Sequence, residues 1–197
     1  GVNVQSAPEL PKQSIEKAGI CVWNAFLPSV HPKTLARVLS QIRFGSAINL
    51  VGHLLNPTMP QYKVMGVPTE AMVDIEVRTL REIGFKRAFV MHGFDADSRK
   101  GMDEISTLGP THCAELAEDG SIETLSLTPE DFGVRRARFE EVASTRNVRT
   151  DALNLLRVLT GKDTGPRADI VCLNTAPLLY LMGKARDLKE GLHLARQ

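Results

Sequence analysis

The chain has 197 residues, enough for one domain that buries about 70% of the surface its unfolded form would expose. Its 24 basic and 23 acidic residues leave a net charge of +1 with no block of one sign, and only 5% of residues are aromatic. That balance offers no footprint for nucleic acid and no polybasic patch for a membrane, so a small-molecule partner is expected. Cys21, Cys113 and Cys172 are too scattered for a disulfide framework or a cysteine zinc site and suit a reducing cytoplasm. With no apolar run near about 18 residues and no basic-apolar leader, neither a membrane span nor a secretory signal is expected.

Gly1-Val2-Asn3-Val4 opens the chain like the interior of a domain. Leu10 to Gly19, with Pro11 near the start and glycine at the stop, has the asymmetry of a short helix. Ile20 to Ala25 reads as a buried strand, and Leu35, Val38, Leu39 and Ile42 then fall at helical spacing behind Pro32. His31 therefore stands at a strand-to-helix junction, where it either faces a ligand edge or serves as a helix-start packing residue. Gly45 to Pro57 is a loop-rich connection. Tyr62 to Val67 is the next strand, and Thr69 to Ile83 forms a helix with Val73, Val77, Leu80 and Ile83 on one face before Gly84 ends it.

Arg87 to Gly93 is strongly apolar, the pattern of a strand buried on both faces. The order strand, helix, strand implies a right-handed crossover and a parallel pair. Thr111 to Leu116 and Ile122 to Leu127 alternate about a turn holding Asp119-Gly120, which predicts a hairpin. Thr128 to Gly133 reads as a capped helical turn with Asp131 three residues after its cap. Val134 to Val148, with Arg135, Arg136 and Arg138, reads as a solvated connection with short helix and not as a phosphate cradle. Three helices close the chain. Thr150 caps the first, with Ala152, Leu155, Leu156 and Leu159 inward and Gly161 at its end. Pro166 opens the second, with Ile170, Leu173, Leu178 and Leu181 inward and a kink or break at Pro177. The third runs from Leu188 to Ala195 behind a capping box at Asp187 and Glu190. With no repeat or linker, residues 1–197 read as a single α/β domain, a mainly parallel central sheet flanked by helices and carrying a β-hairpin.

The chemistry centres on Gly101-Met102-Asp103-Glu104-Ile105-Ser106, two adjacent carboxylates beside a glycine just past the apolar strand. Open α/β sheets bind ligands beyond the carboxyl ends of such strands. Neighbouring carboxylates there suit hydrated Mg2+, which takes one or two protein carboxylates and leaves the rest of its shell to water and phosphate. The plain reading of the doublet is a solvated loop.

In order and wording the chain resembles the α/β domain of the anthranilate phosphoribosyltransferase family. The matching stretches are Gly1 to Val4, the strand into His31-Pro32, Asn49 to Pro57, Met65-Gly66-Val67 and Gly101 to Ser106. They continue through Pro129 to Gly133, Leu173-Asn174-Thr175-Ala176, Gly183-Lys184-Ala185 and Leu188 to Gly191. The resemblance implies a transferase that moves phosphoribose from phosphoribosyl pyrophosphate to the amine of anthranilate in tryptophan biosynthesis, in the cytoplasm and with Mg2+. It implies that Asp103 and Glu104 help hold the metal and that His31 lines the acceptor pocket, in a reaction that needs magnesium and cationic donors on the phosphates rather than a protein nucleophile, with no residue here assigned as catalytic.

Three departures qualify it. The family's helical domain and glycine-rich phosphate loop precede the point where this chain starts, so a complementing N-terminal chain is an implied partner. Gln41 stands where the family places the arginine that meets the anthranilate carboxylate; Arg43, with Arg37 as the alternative, replaces it by a shifted register, or Arg43 is a solvated helix-end cation. His53 replaces a usual proline. The readings left open are therefore the anthranilate enzyme, inactive alone; a transferase for another aromatic amine; a non-catalytic or split paralogue used for binding or assembly; and a pyrimidine nucleoside phosphorylase, against which Asp103-Glu104 speaks.

Overall fold

The structure is a computed structural model that describes residues 9–23, 41, 52–54, 56, 58–97 and 99–197. The chain groups into two compact units, Gly1–Met59 and Pro60–Gln197. In the first, helix α1 (Glu9–Ala18) ends as the sequence predicts, with Gly19 at φ +72° donating its N–H to the Ile15 carbonyl at 2.9 Å. Residues 20–23 form no strand, and the rest of that expected strand lies outside the described residues. So do His31, Arg43 and nearly all of the expected helix after Pro32.

The second unit contains β1 (Tyr62–Gly66), α2 (Ala71–Ile83), β2 (Arg87–Phe94), β3 (Gly101–Met102), β4 (Thr111–Leu116) and β5 (Ile122–Leu127). A 3-10 turn at Pro129–Phe132 follows, then helices α3 (Phe139–Val142), α4 (Val148–Leu159), α5 (Pro166–Leu181) and α6 (Leu188–Ala195). The strand order is β1-β2-β4-β5, with β3 also on β2. β1 and β2 are parallel, as the crossover through α2 requires. β2 with β3, β2 with β4, and β4 with β5 are antiparallel, so the described sheet is mixed where the sequence pointed to a mainly parallel one. The physical reason is local. The short connection from Phe94 to Gly101, and the Asp119-Gly120 turn with Gly120 at φ +82°, fold the chain straight back on itself.

β2 is the centre of this unit, its residues Ala88 to Gly93 all buried. Period-2 alternation sends Phe89 and Met91 into a core with Ile105, Cys113, Val134, Leu173, Ala176, Leu181 and Leu192. Helix α2 lies on β2 and β4 and buries Val73, Val77 and Leu80 completely, while Ile83 stays half exposed. At the amino end of β2, Arg87 donates to Glu115 Oε1 at 2.9 Å and to the Leu181 carbonyl at 3.2 Å. It also stacks 4.6 Å over the Tyr180 ring, so one cation ties the sheet to the carboxyl end of α5.

Three helix expectations change. Asn147, not Thr150, caps α4, its side chain accepting the Thr150 N–H at 3.0 Å. α5 runs unbroken through Pro177. Leu155, Leu156 and Leu159, expected inward, are 52%, 56% and 68% exposed, and Leu178 is 48% exposed. The capped turn and α6 are as expected, with Thr128 N–H donating to Asp131 Oδ2 at 2.7 Å and Glu190 N–H to Asp187 Oδ1 at 2.8 Å.

Candidate functional site

The loop from Gly101 to Gly109 lies directly on the carboxyl ends of the parallel pair. Gly66 ends β1, and a Cβ placed there would collide with the Asp103 carbonyl. Gly93, near the end of β2, would collide in the same way with the Glu104 carbonyl. Only residues without a side chain let the acidic doublet's main chain sit this close to both strands.

Polar contacts then hold the loop from three sides. Asn174 on α5 accepts the Ile105 N–H at 2.7 Å and donates to the Ile105 carbonyl at 2.9 Å, replacing a strand rung with one side chain. Its amide also donates to the Ile170 carbonyl at 3.0 Å, which orients it within its own helix. Ser106 Oγ donates to the Phe94 carbonyl at 2.6 Å and accepts the N–H groups of Leu108 and Gly109 at 3.0 and 3.1 Å. The Ser106 N–H in turn donates to Thr111 Oγ1 at 2.9 Å. His92 is buried in β2, and its Nδ1–H donates to the Val67 carbonyl at 2.7 Å. Its ring meets Phe94 edge-on at 4.9 Å and fills the space beside Gly101. On the preceding turn, Asp95 Oδ1 accepts the Arg99 and Lys100 N–H groups at 2.8 and 3.2 Å, and those backbone bonds, Lys100 first, hold its carboxyl below the usual range.

The result is a pinned backbone carrying two solvent-accessible carboxylates, Asp103 and Glu104. Partial burial, and then the negative charge of Asp103, push the Glu104 carboxyl above its ordinary value. Two hard oxygen donors whose like charges repel one another fit a divalent cation that keeps most of its waters. Among the described residues, no group of three or more His, Cys, Asp or Glu side chains is placed to hold an ion. His31 and Arg43 lie outside the described residues. His92 and Ser106 are positioning residues that the sequence pattern did not single out. The available signal was a histidine interrupting an otherwise apolar strand, and a serine closing a turn onto it.

The whole chain, residues 1–197, matches the family described as "Glycosyl transferase family, a/b domain". It is 36% identical over 197 residues to the anthranilate phosphoribosyltransferase of Pyrococcus furiosus, covering 99% of this chain and 57% of that protein. It is 38% identical over 195 residues to the enzyme of the same name from Parvibaculum lavamentivorans, covering 99% and 55%. The chain thus spans little more than half the length of these relatives. In fold it is similar to a solved variant of the Saccharomyces cerevisiae anthranilate phosphoribosyltransferase with magnesium bound, with a TM-score of 0.66 at 24% identity over 83% of this chain and 45% of that one. No helix of the described residues is long and apolar enough to cross a membrane.

Proposed function

Because the chain belongs to the glycosyl transferase family through its a/b domain, we propose that it serves the transfer of phosphoribose from phosphoribosyl pyrophosphate to anthranilate. The observation that carries this reading is the acidic doublet, held by its own main chain over the carboxyl ends of β1 and β2. Asp103 and Glu104 are the residues that would hold magnesium, which when bound supplies positive charge to the departing pyrophosphate. The chain's own contribution is rigidity. Asn174 and Ser106 keep the doublet from drifting as the diphosphate gathers charge, so little reorganisation is needed during the reaction. His31 is assigned to the acceptor pocket and Arg43 to the anthranilate carboxylate, as a planar fork against a planar acid. The backbone cradle for the phosphates comes from further polypeptide, in keeping with the longer relatives.

Calorimetric titration of the chain with magnesium pyrophosphate tests the central claim. The Asp103→Asn/Glu104→Gln pair should weaken binding about tenfold or more. Undiminished affinity would remove the doublet from the site.

A further inference from the structure

The hairpin between β2 and β3 ends in two cations just ahead of the acidic doublet. Phe94 pairs with Gly101, and the residues from Asp95 to Lys100 make the connection. Its acids, Asp95 and Asp97, come first, and Arg99 and Lys100 come last, next to β3. Both cations are exposed, and among the described residues neither forms a salt bridge.

One residue fixes the main chain under both of them. Asp95 donates its own N–H to the Lys100 carbonyl at 2.9 Å, and its Oδ1 accepts the Arg99 and Lys100 N–H groups at 2.8 and 3.2 Å. The neck of the hairpin is packed in turn against the loop that carries the doublet. A Cβ on Gly109 would collide with the Asp95 and Phe94 carbonyls, and Ser106 Oγ donates to that same Phe94 carbonyl at 2.6 Å. Cations and carboxylates therefore share one pinned unit of backbone. Lys100 and Asp103 are three residues apart, so their main chains lie within about 11 Å of each other.

Charge decides what such a unit takes. The doublet and a divalent cation neutralise one another, so the negative charge of a diphosphate on that metal still needs cations of its own. The parallel pair offers no others at its carboxyl ends. Val67 to Glu70, which follow β1, contain no Lys or Arg. Lys63 lies 5.7 Å over the Phe85 ring, Arg87 is engaged by Glu115, and Lys86 stands with Arg87 at the opposite end of β2. We propose that Arg99 and Lys100 bind the diphosphate of the donor, Arg99 as a planar fork and Lys100 as a point charge. This rests on the reading of Asp103 and Glu104 as the magnesium residues. Both cations are positioning residues, and their attraction grows as the departing pyrophosphate gathers charge.

The test is calorimetric titration of the chain with magnesium alone, with magnesium pyrophosphate and with ribose 5-phosphate. Arg99→Gln/Lys100→Gln should weaken magnesium pyrophosphate about tenfold or more and leave the affinity for magnesium alone undiminished. Lys86→Gln, an exposed cation at the far end of β2, should change neither. Because all three positions are exposed, circular dichroism of each variant should match the parent. Unchanged binding in the cation variant, with binding lost in Asp103→Asn/Glu104→Gln, would overturn this proposal and leave the magnesium reading standing. An equal loss for ribose 5-phosphate would overturn it by assigning the cations to a monophosphate, and an equal loss in Lys86→Gln would reduce it to a general charge effect. Loss in the cation variant with none in the carboxylate variant would keep the diphosphate site and remove the magnesium reading instead. If the parent itself fails to bind magnesium pyrophosphate, both fall.

Discussion

Helices α2 and α4 carry nearly the same sequence signature and meet opposite fates. Both are amphipathic, of 13 and 12 residues, with apolar side chains at helical spacing. α2 buries Val73, Val77 and Leu80 against β2 and β4, whereas α4 buries nothing and turns its stripe to solvent. Periodicity shows that a helix has a face to cover, and it does not say what covers it. The loop at Gly101 to Gly109 stands with α2 on the covered side of this contrast, its main chain enclosed by two strand ends and by Asn174.

The sharpest way to break the comparison is truncation at matched positions. Leu80→Ala should cost about 2 to 5 kcal/mol in urea unfolding, because it empties a completely buried site. Leu155→Ala in the same chain should change stability by less than about 0.5 kcal/mol, and a large loss there would show that α4 is already covered. Next in size is Asn174→Ala. It strips both partners from Ile105 and should cost about 1 to 3 kcal/mol, with weaker binding of magnesium pyrophosphate measured alongside. Gly66→Ala should cost about 1 to 3 kcal/mol by forcing the Asp103 backbone away from β1, and should weaken the same binding. If stability falls in either variant while binding is unchanged, the pinned loop is structural only.

The smallest effect concerns the short helix α3 before α4. Hydrogen bonds from Arg135 and from the Arg138 N–H hold the Glu141 carboxyl down to about 2 from 4.5. A depressed carboxyl contributes stability that is present above the unfolded value and lost as pH falls toward the folded one. Glu141→Gln should therefore flatten the fall in melting temperature between pH 4.5 and about 2 and leave neutral pH little changed. An acid limb as steep as the parent's would show that the pair contributes nothing, as surface pairs often do.

Much of the local structure was legible. The β4 and β5 hairpin, the stop at Gly84, the capped turn at Thr128 and the last helix each follow from a signal within a few residues. β2 was legible as doubly covered because no polar alternation interrupts it before His92. The direction in which the stripe of Leu155, Leu156 and Leu159 faces was not legible, because the partners of a helix face lie far along the chain, whereas the mixed pairing of the sheet follows from short local connections. The candidate site was legible as a stretch and not as a geometry. Asp103 and Glu104 stood out, but the histidine beneath Gly101 and the 69-residue reach from Asn174 to Ile105 did not.

By itself the sequence determined the kinds of element, their order and most of their ends, since capping, turn and periodicity signals act between residues only a few places apart. Only the tertiary structure decided which apolar faces are covered and how the acidic doublet is held. Burial is non-directional and is satisfied by any surface the fold brings near, so the partner of a face is a property of the assembled molecule.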